Sequence, residues 1–144
     1  MKDYYYLAHP FNSREYMRKY QLGWQKEYGV NFCNPFFSSL TDEKFKKGDE
    51  SNDEYYRKIR DIDIVEPDIK AIKRKECKGI LAIIDGQQSF GTIQEMVYSY
   101  MYCKPVYSLI NSGHHNHPFL TYHSKRIFQR FSDFERFLKD GGLK

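Results

Sequence analysis

Three features of the chain predict an α/β sandwich built on a parallel sheet. Short apolar runs alternate along it with amphipathic stretches, as strands joined by crossover helices do. The run Gly79-Ile80-Leu81-Ala82-Ile83-Ile84 is apolar throughout, which suits a strand covered on both faces. It ends at Asp85-Gly86, and a polar loop leads to Ser89 and a helical pattern through Phe90-Gly91-Thr92-Ile93-Gln94-Glu95-Met96. That succession delivers the loop to the carboxyl edge of the sheet, where open α/β sheets bind ligands.

The other elements follow in order. Tyr4 to Ala8 reads as a first strand, ended by His9-Pro10. Asn12 or Ser13 is placed to cap a helix from about Arg14 to Tyr28, in which Tyr16, Met17, Tyr20 and Trp24 recur at helical spacing. Val30 to Asn34 reads as a second strand, broken by Pro35, and Phe36 to Arg60 as a charged, irregular excursion of the kind that forms functional loops. A helix is expected from about Val65 to Glu76, with Pro67 in its first turn and Ile69 and Ile72 buried. After the central strand come a helix from about Thr92 to Tyr102, a strand over Pro105 to Ile110 and a polar, histidine-rich loop from Asn111 to Pro118. A last helix carries Phe131, Phe134, Phe137 and Leu138 and closes at Gly141-Gly142. The most economical arrangement is a flavodoxin-like three-layer sandwich with a central parallel sheet of about five strands, the first strand lying beside 79–84. The loops after Ala8 and Ile84 then open a shared crevice.

Composition narrows the function classes. A chain of 144 residues is the size of a single domain, expected to span 1–144. Aromatic residues make up 17%, with 13 Tyr and 11 Phe, more than one small core absorbs, so some must line a groove or an interface. The net charge of +4 is spread thinly, and Lys and Arg alternate with Asp and Glu across 42–76, so no basic face points to nucleic acid. The three cysteines, Cys33, Cys77 and Cys103, lie in apolar contexts and read as reduced core residues. With no secretory leader and no bilayer-length apolar run, the expectation is a soluble, cytoplasmic protein with no membrane partner.

Two carboxylates carry the chemistry. Glu95 and Asp68 each fall in the expected first turn of a helix that begins at the carboxyl edge of the sheet. The helix macrodipole alone favours acids there. A pair of acids flanking a sugar is nevertheless the minimum equipment for breaking a glycosidic bond: one attacks the anomeric carbon, the other manages a proton on the leaving group.

In Tyr6-Leu7-Ala8-His9-Pro10-Phe11, Asn34-Pro35-Phe36, Asp68-Ile69-Lys70-Ala71-Ile72, Gly91-Thr92-Ile93-Gln94-Glu95-Met96 and Lys104-Pro105-Val106, the chain resembles the nucleoside 2-deoxyribosyltransferase family up to about residue 120. The resemblance implies catalytic roles for Glu95 as nucleophile, forming a covalent deoxyribosyl ester, for Tyr6 as the tyrosine that orients it, and for Asp68 as the acid that contacts the base. It also implies transfer of a deoxyribosyl group between nucleobases, with no metal and no cofactor. The substrate site is expected to draw on His9, Pro10, Phe11, Arg14, Phe36, Asp85, Gly86, Ser89, Gly91 and Thr92. Asn116 or His117, in the loop after the fourth strand, falls where the family often reaches into a neighbouring subunit's site, so a homo-oligomer, dimer or higher, is expected.

One departure bears on the substrate. The family's transferases usually carry an aspartate six residues before the nucleophile, and here that position is Ser89. A serine there resembles the related 2'-deoxynucleoside 5'-monophosphate N-hydrolases, because a hydroxyl and helix-start N–H groups tolerate a phosphate that a carboxylate repels. Ser89 also reads as a plain turn or cap residue. Cations available to complete a phosphate site are Arg14, Arg57 and Arg60. The histidines at 114, 115, 117 and 123 lack the carboxylate or cysteine pattern of a metal site. A non-enzymatic nucleotide-binding module is the remaining alternative, and it has no use for a nucleophilic carboxylate pair.

Overall fold

The computed structural model describes residues 2–38, 40, 61–86 and 89–144. Its elements are β1 (Tyr4–Ala8), a 3-10 turn (Phe11–Ser13), α1 (Arg14–Tyr28), β2 (Phe32–Cys33), α2 (Asp61–Lys73), β3 (Cys77–Ile84), α3 (Phe90–Met101), β4 (Val106–Ile110), α4 (Pro118–His123), β5 (Arg126–Phe128) and α5 (Phe131–Lys139). The five strands form one all-parallel sheet in the order β2-β1-β3-β4-β5. This is the flavodoxin-like α/β architecture expected from the sequence, with β1 beside β3 at the point where the strand order reverses.

Alternation along the strands sorts the core into two layers. Tyr6, Ala8, Ile80, Ala82 and Ile110 face one side, where Ala71 and Ile72 of α2 and Met96 of α3 cover them. Leu7, Leu81, Ile83 and Leu109 face the other, under Met17 and Trp24 of α1 and Phe134 and Leu138 of α5. Every residue of β4 is buried, as a central strand requires. Gly79 has a steric reason: a Cβ there would stand 2.7 Å from the Pro105 carbonyl oxygen, which accepts the Ile80 N–H.

Several local expectations are corrected. The second strand is only Phe32–Cys33, because Asn34 turns the chain by accepting the Phe37 N–H on its carbonyl at 3.0 Å. The helix expected from Val65 is already helical at Asp61, so Pro67 lies in its interior and Asp68 is not in its first turn; tertiary packing of Ala71 and Ile72 outweighs the one hydrogen bond the proline removes. Glu95 is the sixth residue of α3, beyond the first turn, because Phe90 and Gly91 are already helical behind the Ser89 cap. Neither acid is therefore explained by the favourable start of a helix. Cys33 and Cys77 are buried, whereas Cys103 is exposed at φ 58°, in the turn that ends α3. Strand β5 and the short helix α4 have too few residues to show a period in the sequence. No helix among the described residues is long and apolar enough to cross a membrane. The stretch 41–60, with Arg57 and Arg60, lies outside the described residues, as do Gln87 and Gln88.

Candidate active site

Tyr6 is the centre of the site. Its place on β1 turns its ring into the layer beneath α2 and α3, where it is completely buried. Its hydroxyl donates a short hydrogen bond to Oε2 of Glu95, across 89 residues of sequence. Burial, then the charges of Glu95 and Asp68, then that hydrogen bond, push the phenol well above its ordinary value. The proton thus stays on Tyr6, which acts as a fixed donor that orients one oxygen of the Glu95 carboxylate. Asp68, half-buried on α2, is close enough for its charge to be felt at the same phenol. Three elements far apart in sequence thereby bring Tyr6, Glu95 and Asp68 together on the face of the sheet that α2 and α3 cover. Chemically, the cluster offers an oriented carboxylate with a second acid beside it.

A second network ties the loops of the crevice together. Asp85, the residue after β3, accepts hydrogen bonds on Oδ2 from Ser13 Oγ at 2.6 Å and from the Tyr16 hydroxyl. Burial, and next the bond to Asp85, raise the Tyr16 phenol to about 12. Ser13 sits at the start of α1 without capping it through its side chain; its hydroxyl serves Asp85 instead. Arg14 is buried, donating from Nη1 to the Phe11 carbonyl at 3.0 Å, with its guanidinium 3.8 Å from the centre of the Phe11 ring. Phe36 packs edge-on against Phe11 at 5.7 Å and tilts against His9 at 4.9 Å. His9 and Pro10 are both buried, and the His9 Nε2 lies 3.0 Å from Asn34 Oδ1. Phe11, Phe36 and His9 form an aromatic wall at the carboxyl ends of β1 and β2.

Ser89 caps α3: its Oγ accepts the Thr92 N–H at 3.2 Å and shares a 2.6 Å hydrogen bond with Thr92 Oγ1. Beside it, between the loops after β3 and β4, lies a cavity of about 300 Å³ lined by Ile83, Ile84, Gly86, Ser89, Phe90, Thr92, Ile93, Ser112 and His114. Gly86, at φ 92°, makes the turn that opens it. Gly91 is exposed in the first turn of α3. Asn116 and His117 are exposed outside this lining, and the His117 Nδ1 accepts the Phe119 N–H at the start of α4. Among the described residues, no three His, Cys, Asp or Glu side chains assemble as a metal-binding group. Sequence reasoning missed Tyr16, Asn34, Ser112 and His114. For Asn34 a signal exists, an Asn-Pro step closing a strand; Tyr16 is disguised by the apolar pattern of its helix.

No protein-family model and no curated protein matches the chain. Solved structures do match. A 2-deoxyribosyltransferase from Bacillus psychrosaccharolyticus is 22% identical and superposes with a TM-score of 0.64 over 90% of this chain and 88% of its own. A conserved protein from Enterococcus faecalis V583 is 13% identical, with a TM-score of 0.62 over 97% and 99%. The Clostridium botulinum CMP N-glycosidase is 19% identical, with a TM-score of 0.51 over 96% and 98%. At these identities the likeness shows that the chain shares their fold over nearly its whole length.

Proposed function

We propose that the chain is an enzyme that cleaves the N-glycosidic bond of 2'-deoxynucleosides and transfers the deoxyribosyl group to another nucleobase. The observation that carries this reading is the buried Tyr6 hydroxyl donating to Glu95 with Asp68 at hand. A Glu95 carboxylate oxygen bonds to C1' as the C1'–N bond breaks, and the bonding pair leaves with the base. Asp68 enters the step in its protonated form, gives that proton to the departing base and, left as a carboxylate, takes one from the incoming base when the ester is opened in reverse. Water in place of the second base gives hydrolysis. The half-buried ring of Phe36, backed by Phe11, stacks on the base and limits the entry of water. The 2'-deoxy sugar is favoured because a missing hydroxyl makes positive charge at C1' less unfavourable. The deoxyribosyltransferase and CMP N-glycosidase that share this fold act on bonds of this class, which supports the reading. In it the chain is a single domain over 1–144 that works in the cytoplasm on salvaged nucleosides.

The second reading, hydrolysis of 5'-monophosphates, is favoured by Ser89 standing where a repelling carboxylate is usual. Two observations favour free nucleosides instead. The Ser89 hydroxyl is engaged in capping α3, and the described residues around the adjacent cavity include four apolar side chains and no Lys or Arg. Chromatography after incubation with deoxynucleosides, their 5'-monophosphates and a free acceptor base separates the readings. Base exchange on free deoxynucleosides is expected. Base release from the monophosphates alone, with no exchange, establishes the second reading in its place.

A further inference from the structure

Tyr16 reaches the site from the far side of the sheet. Its ring packs against the core layer under α1 and α5, whereas Tyr6 and the acids beside it belong to the layer under α2 and α3. With the sheet between them, Tyr16 acts on the reacting atoms only through the group it holds. That group is Asp85. Alternation along β3 turns residue 85 to the same side as Leu81 and Ile83. There a single carboxylate oxygen, Oδ2, accepts from both the Tyr16 hydroxyl and Ser13 Oγ, the latter at 2.6 Å. Ser13 is fully buried, and this bond satisfies its hydroxyl.

The loops of the crevice meet at this carboxylate. Ser13 closes the turn that begins at Phe11, the ring behind Phe36 in the aromatic wall. Gly86, next to Asp85, turns at φ 92° toward Ser89, the cap of the helix that carries Glu95. The Ile84 carbonyl accepts the Asn111 N–H at 3.3 Å and Ser112 Oγ at 3.4 Å, so the loop after β4 is fastened at the same point.

Resting on the proposed function, we infer that Tyr16 is a positioning residue: through Asp85 it fixes the loop after β1 against the loop after β3, and this sets how much of the Glu95 ester is lost to water. An incoming base is a flat ring that attacks C1' only when the crevice is held to its shape, whereas water needs no such fit. When water opens the ester, its oxygen bonds to C1', its proton passes to the Asp68 carboxylate, and Glu95 is released as a carboxylate. Loosened loops therefore slow transfer more than hydrolysis.

The quantity that tests this is the ratio of free deoxyribose to exchanged nucleoside formed at a fixed concentration of acceptor base. It does not depend on the amount of folded enzyme, so a partial folding defect cancels. In Tyr16→Phe, which keeps the ring and removes the donor, the ratio rises by about fivefold, the scale of one hydrogen bond. Ser13→Ala removes the other donor and moves the ratio the same way, which keeps the test available if one variant does not fold. Asp85→Asn, whose amide oxygen still accepts, shifts the ratio less than Asp85→Ala does. A ratio unchanged in Tyr16→Phe and Ser13→Ala, with the wild type exchanging bases, overturns the inference and leaves the proposed function standing. A shift confined to the Asp85 variants also overturns it, making Asp85 a direct substrate contact. A wild type that exchanges no bases removes the proposed function and this inference with it.

Discussion

At the scale of the residue, the account rests on one hydrogen bond, from Tyr6 to Glu95. Glu95→Ala is expected to abolish base exchange while the protein still folds, since Glu95 is only half-buried and is the carboxylate that Tyr6 orients. Circular dichroism with an exchange assay checks both halves. Tyr6→Phe keeps the buried ring and removes the donor, so kcat should fall by about 100-fold through misorientation of the carboxylate, with a smaller change in KM. Ser89→Asp tests the end of the substrate away from the base: exchange on free deoxynucleosides is preserved or improved, whereas any activity on 5'-monophosphates is suppressed. Equal losses on both would mean that Ser89 only caps α3. That Tyr6 would hydrogen-bond Glu95 with Asp68 nearby was implied by the family resemblance, and the structure has that contact. The positions of the two acids in their helices were not legible in the sequence, because Pro67 suggested a helix start that packing overrides and Gly91 did not delay α3 as its low propensity implied.

Elements position the site through the register of β1 and β3 and through Asp85, which ties α1 to the end of β3. This tie predicts an alkaline limit. The Tyr16 phenol holds its proton to about 12 in the folded chain and Tyr6 holds its own well above the ordinary range, whereas an unfolded tyrosine releases its proton near pH 10. With the folded values raised, the stabilisation is complete below about pH 10 and is lost as pH rises toward the folded values. Thermal unfolding across this window should show Tm falling, and falling less steeply in Tyr16→Phe than in the wild type. The same slope in both proteins would mean that the Tyr16 phenol is not held above its ordinary value in the folded chain. Strands β1, β3 and β4 were legible because both faces of each are covered, giving apolar runs. Strand β5 was not, since Arg126 heads a three-residue strand with no run to recognise.

For the whole molecule, the aromatic excess read from the sequence is only partly absorbed by the two core layers. Phe90 remains 85% exposed, Phe119 72%, Tyr122 68% and Met101 66% on α3 and α4. An apolar surface of that kind fits a contact between copies of the chain. A dimer or larger assembly is expected by light scattering, weakened by Phe119→Asp, and a fully active monomer at working concentration would contradict it. The central claim, though, is covalent: Glu95 accepts the deoxyribosyl group at C1'. The most direct measurement is mass spectrometry of the protein quenched during turnover of a deoxynucleoside without an acceptor base. The account predicts a deoxyribosyl adduct on the peptide containing Glu95, discharged when a free base is added and absent from Glu95→Ala. Turnover with no adduct on that peptide, or the same adduct in Glu95→Ala, would contradict it.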